Sequence, residues 1–391
     1  MSSKSRTPMP TSLIALFSLA NLVIGTGAFI VSGILPAAAQ GLGVSVPAAA
    51  QAMTVYALAA ALLAPVLLVA TGRWPRRRVL VAAMALFTFG CALCAVAPSL
   101  LVLLVGRVLM GSGAMFLAAA AGIVVALVPP QRRGKALAVV FMGMSMSYMT
   151  GLPLGSWLAE TQGWRAPLWL VTGCAGLVTL ALWGLVPRHV QALGASLQGI
   201  GAVLRQGPVM ISLAITALYF AAVFIVFSFI VLVLRALTPL SAGGLSLTLM
   251  LFGSAGLVGT LSGGYCNDRF GSRVTLTTML TLLASTMLVL PLTSGRPLLM
   301  TVVLLVWGAA GFGMMAPQQS RLAMLAPGHG SLLLSLNSSM LYLGMAVGAA
   351  LGGLAVPWLG YARLSWLSAA LVAIALSLLA LERRTPRLHH A

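Results

Sequence analysis

The sequence predicts an all-α polytopic membrane protein with about twelve transmembrane helices, arranged as two pseudo-symmetric six-helix bundles. Three observations predict this fold. Of the 391 residues, 60% are hydrophobic and only 6% are charged. The apolar residues form long runs, and one stretch has no charged side chain between Arg6 and Arg73. The basic residues stand in short clusters between these runs, which is typical of membrane loops rather than of a soluble domain.

Each long apolar run divides into membrane-spanning helices at glycines, prolines and charged clusters. A spanning helix needs about 20 apolar residues, so the longest neutral stretches each hold two helices or a helix and a neutral loop. We name these helices span 1 to span 12 in chain order. They are predicted near residues 11–36, 47–71, 79–97, 100–128, 136–159, 166–186, 209–234, 243–266, 274–293, 298–321, 332–355 and 363–381.

The distribution of positive charge predicts the orientation of the spans. Of the 22 Lys and Arg residues, Arg107 lies within a span, four lie on one side (Arg165, Arg235, Arg296 and Arg363), and all others lie on the side of the termini. Positive residues favour the cytoplasmic side, so both termini are predicted to be cytoplasmic. The net charge of +19 is spread over short loops rather than over one polar domain, and no nucleic-acid partner is predicted.

The chain is predicted to contain two halves built on one plan. Residues 1–186 form an N-terminal six-helix bundle, residues 187–208 a central cytoplasmic linker, and residues 209–391 a C-terminal six-helix bundle with a short cytoplasmic tail. The halves repeat each other weakly, since GSGAMF at Gly111 corresponds to GFGMMA at Gly311. Two parallel halves with a site between them at mid-membrane are typical of an alternating-access transporter. A duplicated bundle without transport is the alternative.

Three motifs carry a family resemblance. GYCNDRFGSR, between spans 8 and 9, resembles a signature loop of the form Gly-x-x-x-Asp-Arg-x-Gly-x-Arg; GRVLMGSGA resembles a fourth-span motif, and GMSMSYMTGLPLGSWL a fifth-span antiporter motif. Nearly the whole chain resembles the major facilitator superfamily, in its twelve-helix drug and sugar efflux branch of proton antiporters. The resemblance implies a gating role for the motif residues Gly264, Asp268, Arg269, Gly271 and Arg273, and for Gly151, Pro153 and Gly155 of span 5.

The resemblance implies a secondary active transporter that exports small organic molecules, drugs or metabolites, by alternating access. It also implies a small-molecule substrate, surrounding membrane lipids, protons as the coupled ion, a monomer, a bacterial inner (plasma) membrane location, and no cofactor or metal. The resemblance implies that Asp268 of the signature loop pairs with an arginine and latches the cytoplasmic side; a solvated turn that only follows the charge topology is the alternative. An enzyme is not predicted, because no span holds an Asp, Glu or His near mid-membrane as acid, base or metal ligand.

Two departures from the family pattern bear on proton coupling. The loop after span 2, GRWPRRR, has no acid, with Pro75 near the expected aspartate, and Ala28 stands where span 1 of the efflux branch usually has an acid. The three acids, Glu160, Asp268 and Glu382, lie at span ends or in loops. The histidines lie in loops or the tail: His189, His329, His389 and His390. Coupling through Glu160 or another route, an uncoupled facilitator or uniporter, and a transporter-like sensor without flux are the open alternatives.

Arg107 is the one charged side chain predicted within a span, which makes it a candidate cargo ligand. Its guanidinium can bind an anionic or zwitterionic cargo group through two hydrogen bonds. Alternatively, it is a structural arginine that bonds to carbonyls of spans 1 and 5. The weaker substrate-binding candidates are polar or aromatic residues in apolar helices: Asn21, Thr26, Tyr56, Tyr148, Tyr219, Phe220, Phe224 and Asn337. The CxxC pair Cys91 and Cys94 is interpreted as core packing.

Overall fold

The structure, a computed structural model, describes residues 11–187, 201, 204–325 and 330–381. Most of the predicted linker at 187–208 lies outside the described residues. The same holds for Glu382, for the rest of the C-terminal tail and for all four histidines. The boundaries of the two halves and the linker between them therefore stay predictions.

The described residues form long apolar helices, which confirms the predicted all-α polytopic membrane fold. In the described part of the chain, 11 helical stretches are long and apolar enough to cross a membrane. The last, Leu332–Leu381, is broken at Gly360, whose φ of 66° is not helical, so it supplies both span 11 and span 12. The helices are Thr11–Gly41, Val46–Ala70, Arg76–Val96, Leu100–Ser112, Met115–Leu127, Pro130–Met146, Leu152–Gln162, Ala166–Leu185, Gly207–Phe227, Ile230–Leu237, Ala242–Phe270, Ser272–Val289, Pro297–Gly313, Met315–Leu325 and Gly330–Leu381.

Several helix ends differ from the prediction, and those of spans 1 and 8 differ most clearly in consequence. Span 1 continues past the predicted end at Pro36 to Gly41, since a proline is tolerated in a spanning helix whose neighbours enclose it. Span 8 is longer than predicted, so Asp268 and Arg269 lie in its last helical turn rather than in a loop. Gly271 ends this helix with a φ of 82°, a left-handed conformation that favours glycine.

Span 5 widens into a π-helical turn at its centre. Pro153 has no backbone N–H, and its ring crowds the carbonyl of the preceding turn. The chain accommodates this proline with a π turn over Ser147–Gly151, in which the N–H of Leu152 bonds to the carbonyl of Ser147. Such turns within α-helices are frequent at functional sites. Tyr148, a predicted site residue, lies on this turn.

Glycine faces bring spans together in matching pairs in the two halves. A Cβ at Gly151 of span 5 would meet the side chain of Thr26 in span 1, and a Cβ at Gly348 of span 11 would meet the backbone of Ala221 in span 7. Glycine lets the two backbones approach closely at these positions. The other glycines with such contacts to spans 1 and 7 are Gly143, Gly155, Gly344 and Gly352.

Two arginines occupy equivalent positions in the halves. Arg77 and Arg273 are each the second residue of the helix that forms span 3 or span 9. Arg77 donates a hydrogen bond to the carbonyl of Trp183, and Arg273 donates one to the carbonyl of Leu379 at 2.7 Å. Each carbonyl lies two residues before the end of span 6 or span 12, where helix carbonyls lack partners within the helix. The same contact therefore ties the third span to the sixth in each half.

Candidate functional site: a cleft between the two halves

One ion pair joins the two halves at one end of the bundle. We call the end that holds Thr11 the inner end, and the end that holds Gly41 the outer end. At the outer end, Arg235 of span 7 forms a salt bridge with Glu160 of span 5. It is the single salt bridge between residues that the structure describes. The outer ends of spans 5 and 7 are therefore held together across the interface.

Spans 5 and 8 touch near mid-membrane and toward the outer end. The backbone of Met149 packs closely on Gly253, and the hydroxyl of Ser246 donates to the carbonyl of Pro153 at 3.3 Å. The same face of span 5 is uncovered toward the inner end, where the side chains of Met142 and Met146 are 44% and 37% exposed. These positions recur every three to four residues and so share one helix face. Spans 5 and 8, one from each half, therefore separate toward the inner end and leave a cleft between them.

An uncharged groove of ≈ 280 Å³ lies on the wall that the first half contributes to this cleft. Among its lining residues, Ser18 supplies the one polar side chain, and none is charged. Methionine side chains are flexible and polarisable, and they adapt to ligands of different shape. The lining residues from spans 1 and 5 are Ala15, Ser18, Leu19, Leu22, Val139, Met142, Gly143 and Met146.

Aromatic rings from both halves meet where the cleft ends. We define the aromatic layer as Phe29, Tyr148, Phe224, Phe227 and Phe312. Tyr148 stacks on Phe29 with ring centroids 4.3 Å apart, and it meets Phe312 of span 10 edge-on at 4.4 Å. The ring of Phe227 in span 7 lies 5.9 Å from both Phe29 and Tyr148. These separations are those at which aromatic pairs attract, so the layer links the two halves at mid-membrane.

The structure brings four of the sequence-predicted residues together in or beside this layer. Tyr148 and Phe224 belong to it, and Phe224 lies 6.2 Å from Phe29 between ring centroids. Tyr219 and Phe220 continue it along span 7, with their ring centroids 4.4 Å apart. The hydroxyl of Tyr219 donates to a backbone carbonyl of span 10, that of Gly311, at 2.5 Å.

Arg107 is fully buried, with 0% of its surface exposed. Its Nε donates to the carbonyl of Ala52 at 3.0 Å, and its two Nη atoms donate to the carbonyls of Gly27 and Ala28 at 2.8 and 2.9 Å. The guanidinium carbon also lies 4.4 Å from the ring centre of Tyr56. These carbonyls come from spans 1 and 2, whereas the structural alternative predicted spans 1 and 5. The guanidinium thus ties three spans together.

The polar candidates lie outside the aromatic layer. The amide of Asn21 donates to the carbonyl of Val140 at 2.9 Å, and Thr26 packs beside the glycine face of span 5. Both therefore belong to the seam between spans 1 and 5. Asn337 accepts a hydrogen bond from the hydroxyl of Thr216 at 2.7 Å, within the second half.

The residues of the predicted inner gate lie at the inner end of span 8. Asp268 is exposed and accepts a hydrogen bond from Asn267 at 3.3 Å, and it forms no salt bridge with any residue that the structure describes. Arg269 donates to the hydroxyl of Tyr265 at 3.0 Å. Arg273 bonds to the end of span 12. A latch formed by Asp268 stays a prediction.

Sequence reasoning missed three residues of the aromatic layer, namely Phe29, Phe227 and Phe312. A phenylalanine in an apolar helix carries no signal of whether it faces lipid or a neighbouring helix. It also missed the pairing of Glu160 with Arg235. A signal was present, because Glu160 is one of three acids in the chain and was predicted at the same outer end as Arg235.

A helical membrane bundle with matched halves and a central cleft defines this protein as a membrane transporter rather than an enzyme. Comparison with known proteins identifies the family. The profile of the Major Facilitator Superfamily matches residues 17–331 and 241–391, so the chain belongs to this superfamily.

Individual relatives cover most of the chain. The inner membrane transport protein YdhP of Escherichia coli (strain K12) is 31% identical over 92% of this chain and 93% of its own. A chloramphenicol resistance protein of Streptomyces lividans is 30% identical over 94% of this chain and 95% of its own. The crystal structure of a bacterial homologue of the human lysosomal transporter Spinster has the same fold, with a TM-score of 0.77, 15% identity and coverage of 98% of both chains.

Proposed function

We propose that this protein exports small uncharged organic molecules from the cytoplasm across a bacterial inner membrane by alternating access. In this proposal the inner end faces the cytoplasm, as do both termini, and the structure has its cleft open to the cytoplasm with the outer end shut. The protein works as a monomer, because the cleft lies between two halves of one chain. The relative named for chloramphenicol resistance supports outward transport of an organic molecule.

The uncharged groove is the observation that supports an uncharged cargo. No charged side chain lines it, and ligand pockets bind through apolar surface with a few polar anchors. In the described part of the chain, neither carboxylate is among the lining residues of the groove: Glu160 lies at the outer end, and Asp268 lies in the last turn of span 8. A cationic cargo would therefore find no counter-charge there. Chloramphenicol is an uncharged molecule with an aromatic ring, and it fits this class.

An anionic cargo held by Arg107 is the competing hypothesis. Such a cargo would have to displace the carbonyls of Gly27, Ala28 and Ala52 from the guanidinium. Leaving a buried hydrogen-bonding group without a partner costs about 1–3 kcal/mol for each group, and three carbonyls would lose theirs. We therefore assign Arg107 to positioning spans 1, 2 and 4 rather than to contact with cargo.

The cargo binds against the aromatic layer in this proposal. Tyr148 and Phe224 supply aromatic surface from opposite halves. An aromatic ring of the cargo that binds between them takes the place of ring contacts that now join the halves. Cargo binding is thereby linked to the relative position of the two bundles. Asn21, Thr26 and Asn337 support the helices behind the site and do not touch the cargo.

The position of the carboxylates bears on proton coupling. Ala28 is 2% exposed and offers Arg107 only its carbonyl, so this position has no side chain that could carry a proton. A proton carrier must reach both sides of the membrane in turn, and Glu160 lies at the outer end. This observation favours an uncoupled facilitator as the second candidate function.

Transport into inverted membrane vesicles or proteoliposomes tests both candidates. Chloramphenicol, an anionic aromatic acid and a lipophilic aromatic cation are compared as labelled cargo. The proposal expects uptake of chloramphenicol well above that of the two charged compounds. A cation or an anion carried as well as chloramphenicol would overturn the cargo class. Uptake that stops at the equilibrium level despite an imposed pH gradient identifies a facilitator, whereas accumulation above it identifies coupling.

A matched pair of variants locates the cargo site. Tyr148→Ala removes a central ring of the aromatic layer and is expected to abolish chloramphenicol uptake. Phe89→Ala removes a ring that is 63% exposed on span 3, and it is expected to transport normally. Equal loss in both variants would show a general effect of removing aromatic side chains, and would contradict a site at the layer.

A further inference from the structure

The short turn between spans 2 and 3 concentrates positive charge. Within six residues it carries Arg73, Arg76, Arg77 and Arg78. The chain turns tightly here, because the N–H of Trp74 donates to the carbonyl of Thr71 at 2.9 Å. The equivalent turn after span 8, residues 267–273, has two arginines and an aspartate. Like charges this close repel one another, so a counter-charge at the first-half turn would stabilise the folded chain.

No acidic side chain in the described part of the chain supplies that counter-charge. Glu160 pairs with Arg235 at the outer end, and Asp268 lies in the last turn of span 8, in the other half. Arg73 and Arg78 are exposed, and their guanidinium groups form no hydrogen bond or salt bridge with any residue that the structure describes. Both guanidinium groups are therefore available to an anion from outside the chain.

Two exposed tryptophans place this turn at the level of the lipid headgroups. Trp74 in the turn and Trp183 in the last turn of span 6 are 50% and 59% exposed. Arg77 connects the two spans, with its guanidinium carbon 4.9 Å from the ring centre of Trp183. Tryptophan is enriched where the headgroups meet the hydrocarbon core. The arginines beside these rings therefore lie at the depth of the lipid phosphates.

An exposed apolar surface continues from Trp183 toward mid-membrane. Leu180 and Leu177 of span 6 are both exposed, about one and two helical turns from Trp183. Residues three apart lie on neighbouring parts of one helix face, so an acyl chain can lie along this face while its headgroup reaches the arginines. A free phosphate ion would make no use of this surface, which favours a phospholipid as the bound anion.

We propose that Arg73, Arg78, Trp74 and Trp183 form a binding site for an anionic phospholipid, which we call the inner lipid site. The guanidinium groups bind the lipid phosphate, since their planar N–H donors match its oxygens, and an acyl chain packs along span 6. All four residues belong to the first half. The lipid therefore stays bound while the two halves move relative to each other, and the inference does not depend on the cargo.

Lipid binding to the purified protein in detergent tests the site. Dissociation constants are measured by native mass spectrometry for dioleoyl phosphatidylglycerol, for dioleoyl phosphatidylcholine, which has the same acyl chains and no net charge, and for glycerol phosphate. The anionic lipid is expected to bind at least about 10-fold more tightly than phosphatidylcholine, because each arginine near an anionic headgroup contributes about 5-fold. The double variant Arg73→Gln with Arg78→Gln is expected to remove most of this preference. Its melting temperature without lipid is expected to equal that of the original protein, because neither side chain makes a contact that holds the fold.

Arg296→Gln with Arg363→Gln is the matched control. It also removes two exposed positive charges, one of them 5.9 Å from the ring centre of Trp366, but at the outer end. This variant is expected to keep the original preference. An equal loss in both double variants would reveal an effect of net charge alone and would overturn the site. Equal binding of the two lipids by the original protein would also overturn it, as would an unchanged preference in the Arg73 and Arg78 variant. Glycerol phosphate that binds as tightly as phosphatidylglycerol would show a site for free phosphate and overturn the lipid assignment.

Discussion

The salt bridge between Glu160 and Arg235 leads to a quantitative prediction about the outer end. Its side chains are 25% and 41% exposed, and exposed pairs contribute about 0.2–1 kcal/mol because water and salt screen them. Glu160→Gln removes this stabilisation from the state with a closed outer end. Since 1.4 kcal/mol corresponds to tenfold, the ratio of open to closed molecules is expected to rise by up to about 5-fold.

Thiol labelling at Ser246 measures this ratio. Its hydroxyl bonds across the interface to Pro153, so Ser246→Cys is shielded while the halves are closed. In a background without the four natural cysteines, Glu160→Gln is expected to speed labelling several-fold. The reversed pair, Glu160→Arg with Arg235→Glu, is expected to restore the slow rate, because the opposite charges meet again.

A control variant neutralises one charge at the same outer end without breaking a contact between the halves. Arg165 also lies at the outer end, and it donates to the carbonyl of Ala97 within its own half, at 2.8 Å. Arg165→Gln is therefore expected to label at the original rate. Labelling of Glu160→Gln at the original rate, with unchanged thermal stability, would refute a latch at this salt bridge.

Three further variants test the packing. Arg107→Ala leaves three buried carbonyls without their donor and is expected to lower the free energy of unfolding by about 3 kcal/mol or more. The loss is measured as a lower melting temperature in detergent. An unchanged melting temperature would contradict the role of Arg107 in positioning spans 1, 2 and 4. Gly348→Leu is expected to abolish transport through a clash with span 7, whereas Gly173→Leu, with open space around it, is tolerated. Asn337→Leu removes the acceptor of Thr216 and is expected to cost about 1 kcal/mol; no loss in urea unfolding would contradict this value.

The helices were largely readable from the sequence because membrane spans depend on local composition. Each needs a run of apolar residues with the backbone bonded within the same segment, and such runs are visible without knowledge of the neighbours. Helix ends were less certain where burial extends the helix, as in span 1 beyond Pro36. Glycines recur every four residues in spans 5 and 11 of the sequence, but only the packed structure shows that they face spans 1 and 7.

The site was only partly predictable. Tyr148, Tyr219 and Phe224 stood out as aromatic residues near mid-span, and they lie in or beside the aromatic layer. Phe29 and Phe312 did not stand out, because an apolar ring in an apolar helix has no distinguishing mark. Their role depends on which way the helix face turns in the assembled bundle.

The sequence by itself determined the all-α membrane fold, because charge and hydropathy act on each segment separately. It also determined that Arg107 must find partners inside the membrane, since an unpaired guanidinium there is costly. Only the tertiary structure decided that the partners are the carbonyls of Gly27, Ala28 and Ala52. It likewise decided that Glu160 meets Arg235 across the halves. Such contacts join residues far apart in the chain, and they exist only once the helices have packed.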